Sequence, residues 1–335
     1  MAAEVGPEGP RDAKIILVGE APASDEFRTG RPFAGMAGDK LNTCLHKAGL
    51  IRSHCYITNL MKVRVFNIAE YYNGNRDALT SKGIQWQERL ADEIRPLPAN
   101  VIVTMGNPAT RAVVGVGKIT KRRGYVFEAL PMFGSHRKVI PTIHPASVLY
   151  ASRQKSANPF FGMYYIAHDL RRAASECEFK EILYDNKTVK IARSCSEAIT
   201  MLTGPIANSR ILGIDIETIE YEVSCIGFAV SRDLAYVIPI HGAFSADEEH
   251  LVWLAIEQVL GDERVEKVGH NFIFDRIVML RKNHIEVKGR IHDTMLMHSI
   301  VYPDFRKSLE FLASIYTNLP YWKDMAKFKS SKEEE

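Results

Sequence analysis

The chain has 335 residues, 46% hydrophobic and 25% charged, with 22 glycines, 15 prolines and a formal net charge of +3. This ordinary globular composition excludes collagen-like, coiled-coil and disordered classes, and there is no apolar run of 18 residues to cross a membrane. At roughly 100–200 residues per domain the length predicts two domains, each able to bury a core without disulfides or structural metals.

The opening stretch, residues 1–12, is Gly/Pro-rich and mildly acidic. It reads as a disordered tail, neither signal nor transit peptide, ahead of a cytoplasmic protein. Lys14–Gly19 is a buried-strand run, Leu41–Leu50 has helical spacing, Cys55–Leu60 is a short strand, and Gln85–Arg95 is amphipathic. Val101–Gly106 is a strand with a helix starting near Pro108, and Val139–Thr142 is a strand leading into His144-Pro145. This alternation predicts a parallel sheet with helices on both faces, and ligands on such sheets bind at the carboxyl ends of the strands. Glu20, Asn59 and His144 fall at those ends. Tyr164–Lys180 closes this unit, so a first domain is expected over 13–180 and a second over 181–335. In the second, Glu181–Ile191 reads as strand and Ser194–Leu202 as helix. Ile211–Glu217, Ser224–Val230 and Ala235–Ile240 then form a three-strand meander, followed by helices, which predicts an α/β fold with a mixed sheet. The only low-complexity tract is the terminal KSSKEEE. Five cysteines (Cys44, Cys55, Cys177, Cys195, Cys225) are scattered without a CxxC pair and read as reduced, buried thiols.

Charge separates the two halves. Residues 1–180 hold 25 Lys and Arg against 16 Asp and Glu, the remainder 18 against 24. A basic half suits a polyanion, although uneven charge can equally serve solubility alone. An acidic half handles phosphate only if cations intervene.

After the first strand come Glu20 and Glu26, then the glycine-dense Thr29–Gly38 segment, whose backbone N–H groups can approach a ligand. Phe33 offers a ring face to a planar group, Asn59 offers donor and acceptor to a nucleobase edge, and His144 can steady a developing anion. Taken in order, GEAPASDEFRTGRPFAGMAG, YITNLMKVR, VIVTMGNPA, KRRG and PTIHPASVL resemble the uracil-DNA glycosylase superfamily, nearest its family 4, over residues 14–172. The resemblance implies a three-layer parallel-sheet α/β fold and excision of uracil from single- or double-stranded DNA. Glu20 and Glu26 would place the attacking water, Ala21 would offer its backbone to uracil, and Phe33 would stack on the flipped base. Asn59 would read its edge and His144 would stabilise the leaving anion. Lys121, Arg122 and Arg123, with Ser147 of the His-Pro loop, would grip the strand, unless the basic triplet is only a solvated loop. Two departures stand out. Val63 replaces a cysteine and none precedes the first strand, so no iron–sulfur cluster is expected. Ala23 replaces a customary glycine, which puts a Cβ beside the turn near uracil.

In the second half, Asp215 and Glu217 lie two apart on a strand and share a face. Asn271 and Asp275 are spaced to share a helical face. Carboxylates converging from strand and helix make a hard-oxygen site for Mg²⁺ or Mn²⁺, and paired ions of that kind serve phosphodiester hydrolysis. DIET, NFIFD, HDTML and SLEFLA resemble the 3′–5′ exonuclease domain of phage-type family A DNA polymerases. That implies a ribonuclease-H-like α/β fold with Asp215, Glu217 and Asp275 as metal ligands. Asp293 is not a ligand in that family. Its third motif, expected after Lys327, is missing, so the exonuclease is expected to be incomplete and weak or inactive alone. The remaining polymerase portion would be supplied in cis or trans, in a host cytoplasm if viral. The competing expectation is a non-catalytic DNA-binding accessory module of a polymerase, with both domains degenerate.

Overall fold

The computed structural model describes residues 4–73, 78–151, 159–184, 187–220 and 222–323. The KSSKEEE tract and the segment after Lys327 lie outside them. The chain divides into two compact units, Met1–Tyr184 with Ala313–Glu335, and Asp185–Leu312. The first division falls between residues 184 and 185, near the expected cut, and residues 313–323 group with the first unit.

The first unit is built on strands β1 (Ile15–Gly19), β2 (Tyr56–Asn59), β3 (Val101–Met105), β4 (Phe127–Glu128) and β5 (Lys138–Thr142), in the spatial order β2-β1-β3-β5-β4. All neighbours are parallel except β4, an antiparallel edge pair that the sequence did not announce. Every residue of β1, β2, β3 and β5 is buried, the mark of strands covered on both faces. Successive side chains alternate between two cores: Ile16 and Val18 join Leu90, Ile102 and Val139 on one face, while Ile15 and Leu17 join Leu41, Val103 and Ile140 on the other. The covering helices are α1 (Ser24–Thr29), α2 (Met36–Lys47), α3 (Ser81–Ile94), α4 (Asn107–Val114), α5 (Ile119–Arg122), α6 (Pro145–Ala151) and α7 (Pro159–Glu176).

The expected N-terminal tail is instead ordered from residue 4. Val5 is buried, and Glu8 exchanges backbone hydrogen bonds with Ile57 at the free edge of β2. The Glu8 carboxylate binds Arg31 and Arg52, and Gly9 (φ +103°) passes so close to the Cys55 carbonyl that no side chain would fit. Glycine and proline here serve a tight edge contact.

The second unit carries β6 (Thr188–Ile191), β7 (Ile211–Ile219), β8 (Glu222–Ala229), β9 (Leu234–Pro239), β10 (Glu266–Gly269) and β11 (Ile291–Asp293), ordered β11-β10-β7-β8-β9-β6. β7, β8 and β9 form the antiparallel meander, while β10, β11 and β6 are parallel additions. β6 is shorter than the expected 181–191 run. Its helices are α8 (Cys195–Met201), α9 (Ala246–Gly261), α10 (Ile273–Asn283), α11 (Thr294–Val301) and α12 (Leu309–Tyr316), the last ending in the first unit. On β7, Leu212, Ile214 and Ile216 face the core and leave Asp215 and Glu217 exposed on the opposite face. Among the described residues no helix is long and apolar enough to cross a membrane.

Candidate active sites

In the first unit, the carboxyl ends of β1, β2 and β5 converge on a glycine. Gly19 stands opposite Asn59 in the parallel register. A Cβ added to Gly19 would lie 2.6 Å from Phe33 Cζ, and Asn59 Oδ1 is closer still. The aromatic ring and the amide thus meet over a floor that tolerates no side chain. The Phe33 ring also stacks on His144, with centroids 5.7 Å apart and planes at 30°. Gly106 (φ +90°) leaves the space beside the His144 Cβ.

Phe33 is held in a conformation that costs energy for a non-glycine residue, φ +51°. Several groups impose it. The Phe33 N–H donates to Glu26 (3.0 Å), Arg52 donates to the Pro32 carbonyl (2.7 Å), and Gly38 lies against the Phe33 carbonyl. Glu26 is buried, and its other carboxylate oxygen accepts the Ala23 N–H. Burial pushes the Glu26 carboxyl above its usual range, against the pull of those two N–H groups. Both oxygens of Glu26 are occupied by the backbone it shapes. These two hydrogen bonds tie Glu26 to the loop that carries Phe33. Ala23, the departure from the resembled pattern, caps α1 with extended backbone (φ −85°) and an exposed side chain.

Asn59 is buried, and its carbonyl accepts from Lys62 Nζ (2.8 Å), itself buried and paired with Glu93 (2.7 Å). His144 has a definite tautomer. The Ala146 N–H donates to Nδ1 (3.1 Å), so the proton of the neutral ring sits on Nε2. Desolvation pulls its pKa down to about 4, which keeps the ring neutral at physiological pH. Glu20 follows β1 half-buried, and Ala21 follows it. The Ser147 hydroxyl donates to the His144 carbonyl (2.6 Å).

The basic triplet divides. Lys121 is exposed, but Arg122 and Arg123 are buried. Arg123 pairs with the fully buried Asp169, and Arg122 donates to the Gly117 carbonyl and lies over the Tyr321 ring. Neither guanidinium faces solvent, so neither grips a DNA strand as expected from the sequence. The sequence reading also missed Gly19, Arg52, Lys62 and Asp169. Gly19, within the quoted GEAP motif, and Lys62, within YITNLMKVR, carried a readable signal.

In the second unit Asp275 is buried on α10, and its carboxylate accepts the Ile216 N–H (3.1 Å), between the exposed Asp215 and Glu217. Desolvation first, then the negative charges of Asp215 and Asp293, push Asp275 up to about 6. This donor set is hard oxygen, crowded by like charge that a divalent cation would relieve. Among the described residues, however, no three His, Cys, Asp or Glu side chains stand close enough to hold an ion. Asn271 does not share the helical face of Asp275 as expected. It precedes the helix in the left-handed region (φ +57°), its N–H bonded to Asp293. Asp293 also accepts from the backbone of Phe272, Met295 and Leu296, so it caps α11 and pins the turn into α10.

Of the five cysteines, Cys44, Cys55 and Cys177 are buried and Cys195 and Cys225 half-buried, and burial raises the thiols of Cys44 and Cys55 to about 11.

Both units match known protein families. Residues 7–165 match the family model of the uracil DNA glycosylase superfamily, and residues 188–334 that of a 3′-5′ exonuclease. The type-4 uracil-DNA glycosylase of Archaeoglobus fulgidus is 35% identical over 147 residues, covering 42% of this chain and 70% of that protein. A DNA polymerase of Bacillus phage SP01 is 25% identical over 334 residues, covering 90% of this chain but 34% of the polymerase, so the chain spans about a third of that relative. Among solved structures, the Aedes aegypti Nibbler EXO domain is 21% identical, with a TM-score of 0.29, over 35% of this chain and 59% of that one. The two units have the α/β folds implied by the resemblance, a three-layer glycosylase fold and a ribonuclease-H-like fold. The chain belongs to the uracil-DNA glycosylase superfamily and carries, behind that domain, a 3′–5′ exonuclease domain.

Proposed function

We propose that the first unit excises uracil from DNA by hydrolysing its N-glycosidic bond. The observation that carries this reading is the meeting of the Phe33 ring, the Asn59 amide and the His144 ring at a glycine floor. The target nucleotide leaves the stack at a cost of a few kcal/mol, and the freed base lies on Phe33 with its edge against Asn59. Ala21 offers its backbone to the base. Water held by Glu20 adds to C1′ as the bond to the base nitrogen breaks, and the bonding pair passes to uracil. The proton of the water goes to the Glu20 carboxylate. The Nε2–H of neutral His144 donates to the oxygen where negative charge collects, a preorganised donor in a desolvated site. Exposed Lys121 and Ser147 contact the phosphates.

Release of free uracil from single- and double-stranded oligonucleotides tests this reading. His144→Ala and Asn59→Ala are each expected to lose about 10²–10³-fold in kcat, as loss of an oxyanion donor does. No release at high enzyme concentration would sink it. Salt-sensitive DNA binding indifferent to uracil would then favour a non-catalytic accessory module.

For the second unit we infer a divalent-cation site, Mg²⁺ or Mn²⁺, formed by Asp215, Glu217 and Asp275 and serving 3′–5′ exonuclease chemistry. Bound there, a cation would supply charge stabilisation at a scissile phosphate. Asp215 and Glu217 present the exposed oxygens, and the Ile216 N–H fixes Asp275. The similarity to a phage polymerase over most of the chain supports a further partner, the remaining polymerase portion in cis or trans.

A further inference from the structure

Arg122 and Arg123 point inward because the chain's last described segment lies against them. Arg123 Nη1 donates to the Ser314 hydroxyl (3.2 Å), while its other nitrogens engage Asp169. Arg172 donates to the carbonyls of Gly124 (2.6 Å) and Thr317 (2.8 Å) and to Asn318 Oδ1 (2.8 Å). The wholly buried Tyr125 meets Tyr321 and Trp322 edge-on, at 5.4 and 6.3 Å, and Arg122 lies over the Tyr321 ring, 5.2 Å from its centroid. Gly124 (φ +79°) lets the backbone pass, since a Cβ there would lie 2.7 Å from Asp169 Oδ1 and 3.3 Å from the Ser314 carbonyl. Four side chains of the first unit thus grip residues 314–322, which lie within the stretch matching the exonuclease family but pack with the first unit.

The grip does not end at the surface. Asp169 also accepts the Thr142 hydroxyl (2.7 Å). Thr142 closes β5, its carbonyl accepts the Gly106 N–H (2.8 Å), and His144 stands two residues further on. A continuous polar path runs from Ser314 through Arg123 and Asp169 to the strand end that carries His144. Burial alone would raise the Asp169 carboxyl, but Arg123 and the bonds from His168 and Thr142 outweigh it and hold it low, so the path is ionised.

We propose that Ser314–Trp322 is a strap that completes the glycosylase site by fixing the His144 loop, with Arg123 and Asp169 as positioning residues. The proposal rests on the glycosylase reading only for its effect on turnover. Its structural half is tested separately.

The test uses the full chain. Tyr321→Ala/Trp322→Ala loosens the strap, and Ser314→Ala removes only the hydroxyl bonded to Arg123, a change too small to unfold the domain. Hydrogen exchange is read in residues 123–126 and 138–144, with β2 as internal reference, and uracil release is measured alongside. The double variant is expected to speed exchange in both segments about tenfold, as local opening becomes easier, with β2 unchanged. Ser314→Ala is expected to lower kcat several-fold with little change in KM, about what loss of one hydrogen bond to a charged group produces. Tyr321→Phe/Trp322→Phe should restore both readouts. Unchanged exchange at 138–144 would overturn the strap, and faster exchange with unaltered kcat would overturn its link to His144. If the unsubstituted chain releases no uracil, the glycosylase reading fails and exchange alone decides the strap.

Discussion

Gly19→Ala tests the site at its most constrained point. The added Cβ would lie 2.6 Å from Phe33 Cζ and nearer still to Asn59 Oδ1, whereas ordinary contact begins at 3.4 Å. Ring and amide must therefore retreat by roughly 0.8 Å or more, in a site where misplacement of about 1 Å can cost 10²-fold in rate. Overpacking of this kind costs typically about 1–3 kcal/mol, or roughly 2–12 °C in Tm for a unit of this size. The expected result is a folded protein with a modestly lower Tm and uracil release down by about 10²-fold. Gly117→Ala is the control, because its added Cβ meets only the far end of the Arg111 side chain, which can swing aside. Near-normal release by Gly19→Ala, with Gly117→Ala equally active, would refute the placement of Phe33 and Asn59 over that floor.

Other outcomes follow from the same geometry. Ala23→Gly should leave uracil release unchanged and cost at most a few tenths of a kcal/mol, because the Ala23 Cβ is exposed on extended backbone; a tenfold gain would show crowding after all. His144 should titrate by NMR near pH 4, so the rate should not fall with an ordinary histidine pKa. Because its folded pKa lies below the unfolded value of 6.5, the unfolded state binds more protons between those limits. The stability that His144 contributes is therefore full above pH 6.5 and is lost as pH falls towards 4. Asp169→Asn leaves the Arg123 charge buried without its partner and should cost about 3–5 kcal/mol in chemical denaturation. Mn²⁺ should raise the Tm of the second unit, by about 2.7 kcal/mol of stabilisation at a hundredfold excess over Kd, and Asp215→Asn should abolish the shift.

The sequence made the first site legible because its parts are local. Glu20, Asn59 and His144 each close or follow an apolar run that reads as a doubly covered strand, and they stand at the carboxyl ends of β1, β2 and β5. Gly19 was quoted yet passed over, because what makes it necessary, the approach of Phe33 and Asn59, exists only once two distant segments meet. The contacts of Glu26 were hidden for a related reason. A carboxylate after a first strand reads as catalytic, but helix α1 turns it back onto the N–H groups of Ala23 and Phe33. The N-terminal segment misled through composition. Glycine and proline mark flexible chain in general, but at Gly9 the glycine permits a contact that any side chain would block.

The basic triplet is the sharper lesson, because charge counted along a sequence carries no direction. Arg122 and Arg123 belong to a surplus that suggests a polyanion, yet their charges are spent on the Gly117 carbonyl and on Asp169 and Ser314. Ser314 lies 191 residues beyond Arg123, a separation no local pattern bridges. A fold that sends the chain away for a second unit and then brings it back can place its supporting residues wherever the return segment lands. The same reasoning limits how either unit should be cut for study. Ending the first unit at residue 184 would strip Thr317 and Asn318 from Arg172 and the rings of Tyr321 and Trp322 from Tyr125, and it would leave the path to His144 without its outer anchor. A fragment meant to keep that path intact therefore needs residues 314–322 as well as the segment before residue 185.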